Sequence, residues 1–220
     1  MTRGGVRIYP VVGPPGAGKT TALLSLAAVH PSLARFGVRD YGLDLADAGH
    51  PLGLELREDL LRGALLPDHL VRQEFTHFLD HLPKRADVVT VEGYPRDLAQ
   101  TEHFFEVVRA AGAHVAAMVV IDAPDDLLWV RVAQRKICAS CGRPVAGDAA
   151  IRCSRCGGSV VRRGDDEEER VARRVADYRR LAAEVGEYFG ERDLLRTVDG
   201  TRGVAVVRAE LQEVLMSDDR

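Results

Sequence analysis

Eight residues near the N-terminus, GPPGAGKT at positions 13–20, constrain the fold more than any other stretch of this sequence. They fit the pattern G-x-x-x-x-G-K-[ST] and lie between a segment that predicts a strand, 7–12, and one that predicts a helix, 19–29. In that setting glycines let backbone N–H groups turn towards phosphate oxygens, and the positive end of the helix dipole attracts the anion. A glycine-rich turn without a ligand is the alternative, but the strand–loop–helix order favours a phosphate loop.

The rest of the chain continues this alternation of strands and helices. Such alternation is typical of an α/β fold, and here it predicts three layers with a central parallel sheet of about five strands. Residues 40–50 show no clear period. The predicted strands cover 7–12, 35–38, 87–92, 114–121 and 194–198, and the predicted helices cover 19–29, 54–62, 67–82, 97–111, 125–135, 166 onwards and the C-terminal segment.

Length, charge and apolar runs limit the classes of protein that fit. The chain has 220 residues, 46% of them hydrophobic, and a formal net charge of −3. This length suits one globular unit with inserts, since it can bury a sizeable core. No run approaches the ~20 apolar residues of a membrane span, and the N-terminus lacks the apolar stretch of a secretion signal. We therefore expect a cytoplasmic protein without membrane contact, and the charge gives no support for nucleic acid as a partner.

All four cysteines stand in two Cys-x-x-Cys pairs, with eleven residues between the pairs. In a reducing compartment such pairs favour a metal over disulfides. Four thiolates can surround one Zn²⁺ tetrahedrally and leave no open position for a reacting water, so the predicted zinc is structural. Disulfides and free buried thiols are the alternatives. The predicted ligands are Cys138, Cys141, Cys153 and Cys156.

The segment that carries the cysteines is also the positive pole of the chain. Between positions 131 and 163 it has eight basic residues against one acid, Asp148. About thirty residues are too few for a core of their own, so a metal can hold such an insert rigid. A rigid basic insert between two helices is suited to cover a polyphosphate. The basic residues are Arg131, Arg135, Lys136, Arg143, Arg152, Arg155, Arg162 and Arg163.

Taken in their order, the motifs of this chain resemble the adenylate kinase family in its long, zinc-lidded bacterial form. The resemblance implies an ATP-dependent kinase that reversibly transfers the γ-phosphoryl group to AMP or a related nucleoside monophosphate, with Mg²⁺, a structural Zn²⁺ and a monomeric chain. It also implies a P-loop core at 1–36, 73–130 and 165–220, a helical acceptor-binding flap at 37–72 and a zinc-binding lid at 131–164. The motifs are GPPGAGKTT, PLGLELREDLLRGALLPDHL, EGYPRDLAQTE, RVAQRKICASCG, CSRCGG, VVRRGDDEEERVARRVADY and TVDG.

The resemblance further implies roles for individual residues. Phosphoryl transfer needs positioning and charge neutralisation rather than a nucleophilic side chain, so the catalytic group consists of one lysine and four arginines. Any one of these arginines could equally be a solvated surface residue, but all of them stand at family positions. The catalytic residues are Lys19, Arg96, Arg135, Arg163 and Arg174; the ATP-binding residues are Gly13, Gly16, Ala17, Gly18, Lys19, Thr20, Thr21, Arg131, Arg135 and Gly200; the acceptor-binding residues are Asp40, Leu66, Glu92, Gly93, Arg96, Gln100, Arg163 and Arg174.

The acceptor half departs from the family pattern. The usual Ser-Thr-Gly-Asp-x-x-Arg aligns with GVRDYGL at 37–43, which puts Val38 at the threonine and Leu43 at the phosphate-binding arginine. Arg96 would then hold the acceptor phosphate alone, unless Arg39 replaces the missing cation. Losing a charge-assisted hydrogen bond costs about 1.5–3 kcal/mol, which predicts an AMP KM raised ~10- to 100-fold while ATP affinity stays ordinary.

Two smaller departures concern the phosphate loop and the strand beside it. Thr20 stands where the family has a glycine after the loop lysine, and Glu92 stands where it has an aspartate. Glu92 is one methylene longer and could still orient the waters of Mg²⁺.

Two other functions are compatible with the sequence. One is a kinase for a different nucleotide or another small acceptor, which keeps the ATP half. The other is a nucleotide-gated binding module whose basic zinc knuckle grips nucleic acid. The knuckle has no aromatic residue for base stacking, which counts against that module.

Overall fold

The computed structural model describes residues 5–145, 151–162 and 168–217 of the chain. Strands and helices alternate along them, as the sequence predicts, and no helix in these ranges is long and apolar enough to cross a membrane. The elements are β1 Arg7–Val12, α1 Lys19–Val29, β2 Leu33–Gly37, α2 Val38–Asp47, α3 Pro51–Arg62, α4 Asp68–Asp80, β3 Val88–Glu92, α5 Leu98–Ala110, β4 His114–Val115, β5 Met118–Asp122, α6 Asp125–Ala133, β6 Lys136–Cys138, β7 Val160–Arg162, α7 Glu168–Gly190, β8 Leu195–Asp199 and α8 Val204–Met216.

The central sheet lies between two layers of helices. Its strand order is β2-β3-β1-β5-β8 with every neighbouring pair parallel, and the short β4 pairs with β1. Alternate side chains of a strand point to opposite faces. Accordingly, Ile8 of β1 belongs to the same apolar cluster as Phe75 of α4, whereas Val11 belongs to the cluster on the other face, with Leu23 of α1 and Leu211 of α8. The predicted three-layer α/β fold with a parallel sheet is confirmed.

The carboxyl ends of the three strands β1, β2 and β3 lie at the same edge of the sheet. The chain leaves β1 into the glycine loop, β2 into α2, and β3 into Gly93. Glu92 is the register partner of Gly37 on β2 and of Val11 on β1. In open parallel sheets ligands bind outside the carboxyl ends of the strands. The glycine loop, the start of α2 and Glu92 therefore share the edge at which a ligand is expected.

Two segments differ from the predicted elements. Residues 40–50, for which the sequence analysis finds no clear period, lie mostly in α2, which packs against α3 and α4 with one face; the buried positions of that face are Val38, Gly42, Leu43, Leu45 and Ala46. The segment judged from the sequence began after Val38 and ran past the end of the helix at Asp47, so it lost the first turn of this face and included residues outside the helix. The predicted strand at 114–121 is two strands, because β4 pairs with the Arg7 end of β1 and β5 pairs further along, at Val11.

The helices α2 and α3 form a closely packed pair. Gly53 permits the approach, since a Cβ at this position would lie only 2.2 Å from the backbone nitrogen of Ala46. A small apolar cluster then fixes the pair against the first turn of α4. Its buried members are Leu43, Leu56, Leu60 and Leu70.

Glu74 of α4 is a carboxyl group in the apolar surroundings of this helical pair. Its side chain is 0% exposed, and neither oxygen reaches a partner in the described residues with the distance and angle of a hydrogen bond. Burial raises the pKa of Glu74 to about 9, and the nearby N–H of Gly42 offsets this only in part. The carboxyl group is therefore protonated in the folded protein at pH 7, whereas in the unfolded chain it is ionised.

We expect Glu74→Gln to remove a pH dependence of stability. The folded pKa lies above the ordinary value of 4.5, so between those two values the folded state holds one more proton than the unfolded state. The wild-type free energy of unfolding therefore falls as pH rises through this range. Melting temperatures should show the variant more stable than wild type at pH 8.5 and similar at pH 5. Glu102→Gln, at an exposed position of α5, is the matched control; parallel pH dependences of wild type and Glu74→Gln would contradict this account.

Candidate active site

The loop between β1 and α1 has the shape of a phosphate cradle. Gly16 and Gly18 adopt φ values of 89° and 90°, which side chains with a Cβ rarely adopt. A Cβ at Gly16 would also lie 2.8 Å from the carbonyl oxygen of Leu128. Gly18 is the N-cap of α1 and offers no side-chain cap, so the first N–H groups of the helix are directed at the loop. The predicted loop residues Gly13, Gly16, Ala17, Gly18, Thr20 and Thr21 all belong to this turn or to the first turn of α1.

Lys19 extends back over the loop that precedes it. Its Nζ donates to the carbonyl oxygens of Gly13 (2.7 Å) and Pro14 (3.0 Å). Burial lowers the pKa of Lys19 to about 8; Glu92 opposes this shift, while Arg135, Arg174 and Arg96 add to it. Lys19 thus stays mostly protonated at pH 7. Three of the predicted catalytic arginines lie near enough to act on the Lys19 charge, which places a cluster of cations at the loop.

Glu92, at the end of β3, is the acidic residue of this cluster. It accepts a hydrogen bond from Thr20 Oγ1 at Oε1 and one from Arg35 Nη2 at Oε2 (2.6 Å). Burial alone would raise the pKa of Glu92, but Arg35 and Lys19, together with the bond from Thr20, outweigh burial and lower the pKa below its usual value. Glu92 is therefore ionised. The two small departures noted in the sequence, Thr20 and Glu92, contact each other.

On the opposite side of the loop, Arg131 of α6 meets the turn that follows β8. Its Nη1 donates to the carbonyl oxygen of Gly200 (2.6 Å), and its Nη2 donates to those of Arg202 (3.3 Å) and Thr201 (3.4 Å). Gly200 is held in turn, since its N–H donates to Asp122 O (2.8 Å). The structure thus brings together two residues that the sequence assigns to the ATP side.

The four cysteines converge in a small unit that we call the cysteine knuckle, residues 136–145 and 151–162. All four are free thiols, and their Sγ atoms lie within 4.8 Å of one another, with Cys138–Cys156 at 3.4 Å and Cys141–Cys153 at 3.8 Å. A tetrahedral zinc with Zn–S bonds of about 2.3 Å requires S···S separations of about 3.8 Å. The Cys141 N–H points at Cys138 Sγ and lowers the pKa of that thiol to about 6. This set of donors fits Zn²⁺.

Comparisons with known proteins agree with this geometry. The family described as adenylate kinase matches residues 11–194 of the chain. The chain belongs to the adenylate kinase family. It is 33% identical over 210 residues to the adenylate kinase of Symbiobacterium thermophilum, covering 93% of this chain and 96% of the relative. It is 30% identical over 217 residues to that of Thermotoga neapolitana, covering 95% and 97%. The chain is therefore a phosphotransferase of adenylate kinase type.

At positions 38 and 43 this chain lacks the residues typical of the adenylate kinase family, and both positions lie in apolar surroundings. The Val38 side chain is buried, and Leu43 is 2% exposed in the cluster between α2 and α3. Arg39, the suggested substitute, donates from Nε to Gly142 O (3.3 Å) and from Nη1 to Leu60 O. These bonds turn the Arg39 guanidinium towards α3 and the cysteine knuckle. The replacement cation proposed from the sequence therefore has another role in this structure.

Arg96 and Gln100 form a connected group after β3. The Arg96 N–H donates to Gln100 Oε1 (2.9 Å), and Arg96 Nε donates to Gly93 O (2.9 Å). Gln100 Nε2 donates to Asp68 Oδ1 at the start of α4 (2.7 Å). Asp68 thus orients the Gln100 amide, a role that the sequence analysis did not predict. Leu66, also assigned to the acceptor, packs against the apolar clusters beside this group.

The cysteine knuckle rests on α2, a contact that the sequence did not predict. Arg143, 10% exposed, donates to Asp44 Oδ1 (2.7 Å) and to the Asp40 carbonyl oxygen (3.1 Å) and lies 3.6 Å from Asp47 Oδ2. Arg155 also donates to Asp44 Oδ1 (2.9 Å). The available signal was charge: two aspartates near the end of α2 are complementary to the basic knuckle.

One predicted catalytic residue, Arg163, lies outside the described residues. Of the others, Arg135 follows α6, Arg174 lies on α7 and Arg96 follows β3, and all three influence Lys19. Arg35 is a second residue of this site that the sequence analysis did not predict, after Asp68. It pairs with both Asp40 and Glu92.

Proposed function

We propose that this chain catalyses reversible transfer of the γ-phosphoryl group of ATP to a nucleoside monophosphate, with AMP as the first candidate. The observation that carries this proposal is the group of cations around Lys19, at a phosphate loop on the edge where the acceptor residues also lie. Membership of the adenylate kinase family supports AMP as acceptor, because the relatives carry that name.

The proposed chemistry relies on position and charge. Phosphoryl transfer passes through a transition state with charge spread over the moving oxygens, and fixed cations stabilise it. Lys19 would bind the β and γ phosphates, Arg135 and Arg174 would close on the transferring group, and Arg96 would hold the acceptor phosphate. Mg²⁺ bound with ATP would supply further neutralisation; Thr20 or Thr21 would hold it, and Glu92 would orient its waters.

The two smaller parts of the molecule receive roles in this proposal. Residues 37–72, built on α2 and α3, act as the acceptor-binding flap, and residues 131–164 act as a lid whose four cysteines hold a structural Zn²⁺. Arg131 and Gly200 border the ATP base. A lid that excludes water protects the γ-phosphoryl group from hydrolysis. All of these residues belong to one chain, so a monomer can carry out the reaction.

A screen of nucleoside monophosphates with ATP and Mg²⁺ tests the function. We expect ADP to form with AMP faster than with other monophosphates, because Gln100 and Asp68 hold a polar amide in the acceptor region. The assay reads coupled ADP formation, and a reaction without acceptor measures background hydrolysis. Failure of every monophosphate to support ADP formation would contradict the proposal.

A different acceptor is the second candidate, favoured by one observation. Val38 and Leu43 place buried apolar side chains where the family has a hydroxyl and a cation. If another monophosphate is preferred over AMP in the screen, this candidate is supported. The nucleic-acid module gains no such support, because Arg143 and Arg155 of the knuckle are engaged with Asp44.

A further inference from the structure

Arg35 is a buried cation between the sheet and α2. Its side chain is 8% exposed; Nη1 donates to Asp40 Oδ2 and Nη2 to Glu92 Oε2, each at 2.6 Å. Asp40 lies in the first turn of α2, and Glu92 ends β3. Burial opposes the charge on Arg35, but Glu92 and Asp40 outweigh burial and raise its pKa. One guanidinium thus links the flap to the strand beside the phosphate loop.

The backbone leaves space for this side chain at Gly37. Residues 35 and 37 of a strand point to the same face. A Cβ at Gly37 would lie 2.8 Å from Arg35 Nη2, so a larger residue there would displace the guanidinium. Glycine at the family's serine position and arginine two residues earlier therefore belong together.

Counting charges shows what Arg35 contributes. Without it, this edge has four cations against the two carboxylates Glu92 and Asp40, a net charge of +2; the cations are Lys19, Arg96, Arg135 and Arg174. With Arg35 the same edge has a net charge of +3, and both carboxylates have a cation as direct partner. A doubly charged acceptor phosphate is repelled by unpaired carboxylates and attracted by a net positive field.

We propose that Arg35 is a positioning residue that replaces, from β2, the positive charge missing at Leu43 of α2. It neutralises Glu92 and Asp40 so that the acceptor phosphate can approach Arg96. This inference rests on the proposed function, since it concerns the same acceptor site. It revises the expectation of a ~10- to 100-fold weakened AMP site, because the missing charge is present at another position.

Restoring the family arginine at Leu43 is not a suitable test. Leu43 is buried among Leu56, Leu60 and Leu70, so an arginine there would place a charge in an apolar cluster and destabilise the flap. The sharper test removes the cation from Arg35.

Arg35→Gln is expected to weaken AMP binding ~10- to 100-fold, with the ATP KM little changed. The AMP dissociation constant is measured by calorimetry without ATP, and both KM values by ADP formation. Arg57→Gln is the matched control, because Arg57 pairs with Asp47 at the surface of α3 and α2. Arg35→Lys, which keeps the charge, should lie nearer to wild type.

A double variant separates charge from structural support. Arg35→Gln removes a partner from both Asp40 and Glu92 and can impair folding, whereas Arg35→Gln with Glu92→Gln returns the edge to the wild-type net charge of +3. The double variant should regain AMP affinity, although kcat stays low because Glu92 is absent. Unchanged AMP affinity in Arg35→Gln, equal losses for ATP and AMP, or no recovery in the double variant would overturn the inference. No AMP binding by wild type would also overturn it, whereas AMP binding without ADP formation would contradict only the proposed function.

Discussion

Replacing Lys19 with alanine is expected to lower kcat for phosphoryl transfer by at least ~10²- to 10³-fold, the loss typical when a preorganised charge at a transition state is removed. Lys19 is the centre of the cation cluster, and Glu92 and three arginines act on its charge. The fold should remain intact, because burial disfavours the lysine charge and its removal relieves that cost.

Initial rates of ADP formation and thermal melts together check this expectation. Lys84→Ala is the matched control, since Lys84 is exposed far along the chain from the loop. Its kinetics and melting temperature should equal those of wild type. Turnover near the wild-type rate in a folded Lys19→Ala variant would show that Lys19 does not contact the transferring phosphates, and the assignment of the loop would fail with it.

Metal analysis of the purified protein should find about one Zn²⁺ per chain, and Cys153→Ser should reduce this to near zero. Metal binding and folding are coupled in small zinc units, with apparent binding energies of about 10–16 kcal/mol in zinc-finger peptides. Since the knuckle has only the short β6–β7 pair as regular structure in the described residues, loss of the metal should lower thermal stability strongly.

Ser154→Ala is the control for this experiment, because Ser154 is exposed and lies beside Cys153 without offering a thiolate. It should retain both the metal and the melting temperature. Wild-type protein purified under reducing conditions with oxidised cysteines and no metal would refute a structural zinc site.

The sequence predicted those features that depend on neighbouring residues. The phosphate loop has a local pattern of glycines between a strand and a helix. The spacing of the two Cys-x-x-Cys pairs likewise predicts that the four cysteines form one cluster. The helix α2 was harder to predict, because Val38 in its first turn was assigned to the predicted strand at 35–38 and the remaining segment ran past the end of the helix.

The ion-pair partners of Arg35 and Arg143 could not be predicted from local sequence patterns. Arg35 and Glu92 are 57 positions apart, and Arg143 and Asp44 are 99 apart. Such pairs depend on strand order and on where the knuckle rests. A gap in a family pattern, as at Leu43, shows that a charge is missing but not which distant residue restores it.

The contact of Arg143 with α2 has a consequence for how the two substrates influence each other. If the knuckle covers ATP and α2 belongs to the acceptor flap, then Asp44 and Asp47 connect two surfaces that respond to different ligands. Coupling between binding sites is thermodynamically reciprocal, so any factor by which ATP tightens acceptor binding is the factor by which the acceptor tightens ATP binding. The direct ion pair between the knuckle and α2 would then provide a short route for such cooperativity, with no need for a signal through the sheet.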